Sequence, residues 1–349
     1  MQLNGTKVFD LHFLVNDILM ALFFAIAGKE VWEAILPGGP LSDPKRAAVP
    51  LVSAVGGMVG PALIYLLGAS LIGRYDELSH GWAIPCATDI AFSYMVARII
   101  FGVGHPAIPF LLLLAIADDA MGLLILAVFY PQEEVRIVWM LLPVLSIALG
   151  LIFQRMRIKG FWWYLIIPGA LSWIGFAKAG LHPALGLLPV IPTMPHAHSD
   201  KGLFDWAEQE ATDTLNKFEH WWKNPVELIL MMFGLLNAGV VLSAIDSPTY
   251  LILSGLIIGK PIGIWLSAMA IAKGFRVGLP DGLTSADLVV VGFAAGIGFT
   301  VALFVATVAF PPGEIQDAAK MGALGSFAAA LLTYVVARLL GVKGTGAET

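Results

Sequence analysis

Apolar stretches long enough to cross a bilayer recur along the whole chain, separated by short polar connections and one long one. At about 20 mostly apolar residues per crossing, the pattern predicts eleven helices, at 12–36, 47–72, 81–101, 106–130, 135–153, 161–179, 181–192, 225–243, 249–271, 287–310 and 317–341. The seventh, LHPALGLLPVIP, is short and proline-rich, enough for only part of a crossing. Composition agrees with the pattern. The 349 residues are 58% hydrophobic and 13% charged, with a mean hydropathy of +0.83. This describes an all-α polytopic membrane protein, a single membrane domain over 1–349 with lipid as its surroundings and no nucleic-acid partner. The single Cys86 excludes an intrachain disulfide. The opening MQLNGTKVFD has no separate apolar core and cleavage site, so no cleaved signal peptide is expected.

An odd number of crossings puts the termini on opposite sides, and the placement of Lys and Arg selects the orientation. Thirteen lie in one set of loops, among them Lys45, Arg46, Arg155, Arg157 and Lys159, against five in the other: Lys7, Arg74, Arg136, Lys178 and Lys320. The prediction is an outside N-terminus and a cytoplasmic C-terminus.

Polar residues within the crossings are few: Asn16, Asp17 and Glu30 in the first, Thr88 and Asp89 in the third, Asp118 and Asp119 in the fourth, and Lys260 in the ninth. Asn16 and Asp17 fit hydrogen-bonding glue between helices. Glu30, beside Lys29 near the cytoplasmic end, fits snorkelling to the interface. Asp89, Asp118, Asp119 and Lys260 are different. A charge at a helix centre costs about 3 kcal/mol on translocon-based scales, so three acids and one base at that depth mark an ion pathway.

Two crossings carry breaks. Pro85 precedes Thr88 and Asp89 in the third, and Gly292, Gly296 and Gly298 cluster in the tenth. Each is the middle of a triplet, over 47–130 and 249–341, and the two triplets start from opposite faces. The pattern predicts an inverted three-helix repeat, and interrupted segments at corresponding places in its two halves point to a transport site at the midplane.

These residues also carry a family likeness. ATDIAF at 87–92, the pair in LAIADDAMG, LIIGKPIGI ending at Ile264 and GIGFT at 296–300 resemble, in order and spacing, the motifs of the NhaA-type sodium/proton antiporters. The likeness extends from VNDILMALFF at 15–24 through VGGMVGPALIY at 55–65 and NAGV at 237–240 to the last helix. It implies electrogenic, pH-regulated exchange of Na+ or Li+ for H+ in a bacterial-type inner membrane, without a cofactor. It implies Asp119 as the central cation- and proton-binding carboxylate, Asp118 as its neighbour, Thr88 as a further polar group near the ion, and these acids as the ligands of transported Na+. Asp118 would pair with Lys260 in one state, while Asp89 and Lys260 would offset the charges of half-helix ends around Gly296, Gly298 and Thr300, where the likeness has the two interrupted helices cross at the midplane.

The chain also departs from that family. It starts at the equivalent of the family's second helix, which touches the region that forms a homodimer. After Glu30, where the family tends to have a basic pair, it has Trp32 and Glu33. Within the loop 193–224, Phe204, Ala207, Ala211, Leu215, Phe218 and Trp222 recur at helical spacing with acids on the other faces, an amphipathic helix suited to the protein's cytoplasmic mouth. Glu219 and His220 resemble the family's pH-responsive pair, with a solvated linker helix as the alternative. His196 and His198 fit a solvated loop better than a metal site. Two other functions fit less well: a transport-inactive sensor, and an intramembrane aspartyl hydrolase. Adjacent carboxylates on one helix point about 100° apart, and no second Asp motif faces them.

Overall fold

The computed structural model describes residues 10–196, 213–240, 242–274 and 278–342, with the backbone of 2–3 and 6–7. Apart from an antiparallel pairing of Gln2–Leu3 with Thr6–Lys7, the described residues form helices and their connections. Among the described residues, six helices are long and apolar enough to cross a membrane: Leu11–Ile35, Ala47–Leu71, Ala107–Phe129, Ile137–Arg155, Ser247–Gly274 and Glu314–Leu339. Two further pairs, Tyr75–Cys86 with Ile90–Phe101 and Ser285–Ala295 with Phe299–Ala309, each bend by 51° at a short break, giving up to eight crossings. Leu71, Val138 and Leu339 are at least 80% exposed, as expected of side chains that face lipid rather than water.

Two predicted crossings look different in the structure, and a third is helical over its predicted length. The stretch 161–179 is helical with a π-helical turn at Leu165–Gly169. The seventh is the short apolar helix Pro183–Thr193. The eighth does not begin at 225. A single helix, Thr214–Asn237, runs through Pro225 and takes in the end of the predicted amphipathic segment, whose residues 204–212 lie outside the described ones.

Contacts divide the chain into two compact units, Met1–Ser42 with Leu123–Leu236, and Asp43–Gly122 with Asn237–Thr349. In the first, Tyr164, Val190, Leu215 and Phe218 are fully buried in one apolar cluster. Leu215 and Phe218 thus bury the described part of the amphipathic stripe against protein. Its first helix carries a π-helical segment, Leu14–Leu19, holding Asn16 and Asp17. The Asp17 carbonyl accepts the Trp173 indole N–H at 2.9 Å, and its carboxylate lies 4.0 Å from His182 Nδ1.

In the second unit, Phe101, Leu111, Leu114, Leu288 and Val291 form the core, and backbone contact joins the Pro44–Leu71 helix to the Lys260–Gly274 segment. Gly56 and Gly60 face Gly259 and Gly263. A Cβ on Gly263 would lie 2.0 Å from the Gly56 carbonyl oxygen, and one on Gly56 would lie 2.4 Å from that of Gly263. Small residues four apart on both helices are what such an approach requires. Gly263→Val is therefore expected to destabilise the protein by about 3 kcal/mol or more, read as a lower unfolding temperature in detergent. Gly122→Ala, in a helix with nothing within 4 Å of the added carbon, should not lower it.

At the connections of this unit, Arg74 donates to Asp246 at 2.8 Å. That bond, with help from Ser247, holds the Asp246 carboxyl below its ordinary range. The contribution is lost only as pH falls through that lowered value, so the pair is constant through neutral and alkaline pH.

Candidate ion-binding site

Chain chemistry places both breaks. The first helix of one pair ends at Cys86, just after Pro85, and Ala87 to Asp89 run extended before Ile90 restarts the helix. In the other pair, Ser285–Ala295 ends at Gly296 and the helix restarts at Phe299 with Gly298 as N-cap. The two breaks touch directly: the Asp89 N–H donates to the Ile297 carbonyl at 2.7 Å. Gly298 is required here, because a Cβ would sit 2.9 Å from the Ala87 carbonyl oxygen.

Three charged groups, Asp89, Lys260 and Asp118, meet around this crossing. Asp89 Oδ1 accepts the Phe92 N–H at 3.4 Å, capping one restarting helix. Its Oδ2 accepts the Thr300 N–H at 3.1 Å and hydroxyl at 2.6 Å at the start of the other. One carboxylate thus serves two helix N-termini, each worth about half a positive charge. Lys260, fully buried and directly after the π-helical turn Gly255–Gly259, donates to the carbonyl of Cys86, the last residue of a half-helix. It also donates to Asp118 Oδ2 at 2.8 Å. Thr88 reaches that same Oδ2 at 2.6 Å and the Ala295 carbonyl at 3.2 Å; its single hydroxyl proton serves one of them at a time.

Asp118 is 4% exposed, and its Oδ1 is buried without a hydrogen-bond partner among the described residues. Such an acceptor is costly unless a cation or proton meets it. Asp119, next along the Ala107–Phe129 helix, is half-buried. Asp118, Thr88, Asp89, Lys260, Gly296, Gly298 and Thr300 therefore belong to one arrangement around the crossing.

The other predicted residues lie elsewhere. Lys29 does not snorkel. It is 1% exposed and donates to Glu33 and Glu219, joining the first helix to Thr214–Asn237. Glu30 beside it is half-buried and His220 is exposed. His196 packs edge-on against Trp32 with ring centroids 6.0 Å apart, while His198 lies outside the described residues. Sequence reasoning missed the Lys29–Glu33 pair, although its four-residue spacing was a visible signal. Removing one partner of a buried pair leaves the other charge uncompensated. Lys29→Met, which removes the ammonium that Glu33 and Glu219 share, is expected to cost about 3–5 kcal/mol of stability, measured as thermal unfolding in detergent; an unchanged midpoint would refute the buried pairing.

Apolar helices broken in pairs, with ionisable groups at the breaks, define a polytopic membrane protein organised around an intramembrane charged site. The chain belongs to the Na+/H+ antiporter 1 family, whose model matches residues 1–337. Among its curated relatives, a protein named Na(+)/H(+) antiporter NhaA from Jannaschia sp. (strain CCS1) is 54% identical over 364 residues, covering 97% of this chain and 86% of that protein. One of the same name from Geobacter sulfurreducens is 45% identical, covering 95% and 87%. Another from Desulfitobacterium hafniense is 46% identical, covering 96% and 86%.

Proposed function

We propose that this chain is a secondary transporter that exchanges Na+ for H+ across the membrane at the Asp118–Asp119 pair. The names of relatives 45–54% identical over nearly the whole chain support the exchange. The observation that carries the site is the buried, unpartnered Oδ1 of Asp118 beside Asp119 at the meeting of two broken helices. Cation and protons compete for the same carboxylates, and that competition couples the two flows during alternating access. Asp119 is the central ligand, Asp118 its neighbour and Thr88 a third oxygen. Li+ is an alternative to Na+, and no cofactor takes part. Asp89 offsets the two helix N-termini, Lys260 offsets the carbonyl end at Cys86 and carries a proton, and exchange is electrogenic.

The remaining architecture belongs to the same reading: eleven crossings, an inverted repeat, an inner-membrane location, N-terminus outside and C-terminus cytoplasmic, and a homodimer. One regularity supports the repeat. Moving Tyr75–Cys86, Ile90–Phe101 and Ala107–Phe129 on by 209 positions places them at 284–295, 299–310 and 316–338, beside the observed Ser285–Ala295, Phe299–Ala309 and Glu314–Leu339. Glu30, Glu219 and His220 form a pH-responsive region, in which Lys29 supplies the cation that the positions after Glu30 lack. Sodium-induced proton release from everted membrane vesicles tests the exchange. No response to Na+ or Li+ at any neutral or alkaline pH would overturn it.

A further inference from the structure

The helix Phe299–Ala309 restarts on a residue that cannot cap it. A helix N-terminus leaves its first N–H groups without intrahelical partners, and the usual remedy is a side-chain oxygen on the N-cap residue. Gly298 has none. Two other elements of the same unit supply the acceptors. Asp89 takes the Thr300 N–H at 3.1 Å. Ser326 Oγ accepts the Gly298 N–H at 3.3 Å while donating its own proton to the Ala323 carbonyl at 2.6 Å.

Ser326 is fully buried and follows Glu314–Gly325, two residues before the helix resumes at Ala328. The last crossing is thus locally irregular at the point where it meets the break. The next residue, Phe327, packs against Phe299 with ring centroids 4.6 Å apart and against Phe92 at 5.0 Å, while Phe92 and Phe299 lie 5.9 Å apart. Each ring adjoins a group at the crossing. Phe92 gives its N–H to Asp89, Phe299 precedes Thr300, and Phe327 follows Ser326.

We propose that Ser326 and Phe327 are positioning residues for ion exchange. Ser326 fixes the start of the Phe299–Ala309 helix through Gly298, and Phe327 holds that start against the first broken pair, so that Thr300 meets Asp89. Both act through the half-helix rather than on the ion. The inference rests on the ion site lying at this crossing.

Purified variants reconstituted in liposomes, titrated with Na+ and Li+ at several pH values, test it. Losing one such hydrogen bond, or one such aromatic contact, corresponds to roughly a five- to tenfold change in affinity. Ser326→Ala and Phe327→Leu are each expected to raise the cation concentration for half-maximal exchange by about that factor, with the maximal rate within about twofold of native. Thr333→Ala is the control. It removes a fully buried hydroxyl from the same crossing, one that among the described residues bonds its own helix at Ala329, and should leave both quantities unchanged. The proposal is overturned if half-saturation is native in both variants, if Thr333→Ala raises it equally, or if the loss lies only in maximal rate. Should Ser326→Ala fail to fold, Phe327→Leu decides by the same criteria. Asp119→Asn, measured alongside, separates the two readings: normal exchange there sinks the ion site, whereas inactive Asp119→Asn with native half-saturation in Ser326→Ala sinks the brace alone.

Discussion

Asp119→Asn is expected to abolish exchange of both Na+ and Li+ while the protein still folds and inserts. The substitution keeps the shape and removes the charge that both cation and proton need. A unit charge about 3 Å from a cation contributes roughly 5 kcal/mol at an effective dielectric constant near 20, and each 1.4 kcal/mol is tenfold in affinity. Cation binding should therefore weaken by about three to four powers of ten, beyond what any attainable Na+ concentration restores. Isothermal titration with Li+, alongside vesicle exchange, reads this directly. Asp118→Asn should leave measurable exchange, because the Asp118 charge is already offset by Lys260 and an amide oxygen still accepts from Lys260 and Thr88. Normal exchange by Asp119→Asn would move the site elsewhere.

The second large effect concerns Lys260. Its ammonium donates to the Asp118 carboxylate and to the Cys86 carbonyl, so a cation that engages Asp118 takes an ionic partner away from it. A lysine can then release a proton; an arginine in the same place cannot, since guanidinium stays protonated at every accessible pH. Lys260→Arg is accordingly expected to lose electrogenic exchange, seen as the absence of a Na+-driven membrane potential in proteoliposomes. Native potential and pH dependence in that variant would reduce Lys260 to a static counter-charge for the helix end at Cys86.

How much of this was readable in advance follows from what hydropathy measures. A carboxylate in an apolar run stands out because its transfer into lipid is so costly, which is why Asp89, Asp118, Asp119 and Lys260 were visible as a group. Proline and glycine marked both breaks because they act locally on the backbone. Partnerships were harder. Lys29 meets Glu219 across 190 residues, and no local pattern records that, so Lys29 read as an interfacial side chain. Ser326 reads as an unremarkable small residue in an apolar helix; only the neighbouring backbone shows what its oxygen does. Apolar residues predominate only beyond Pro225, whereas the helix starts at Thr214 and runs through Pro225; membrane helices tolerate proline when neighbouring groups satisfy the freed carbonyl.

The pairings at the crossing also set a timetable for synthesis. Asp118 and Lys260 are separated by 142 residues, Cys86 and Lys260 by 174, and Asp89 and Thr300 by 211. At about 5–20 residues per second, Asp89 enters the membrane roughly 10–40 s before the backbone that will satisfy it has been made. Until Lys260 is made, the nascent chain holds Asp89, Asp118 and Asp119 in an apolar phase without the ammonium that Asp118 will meet, so the second half of the chain must be inserted before that charge is matched within the membrane.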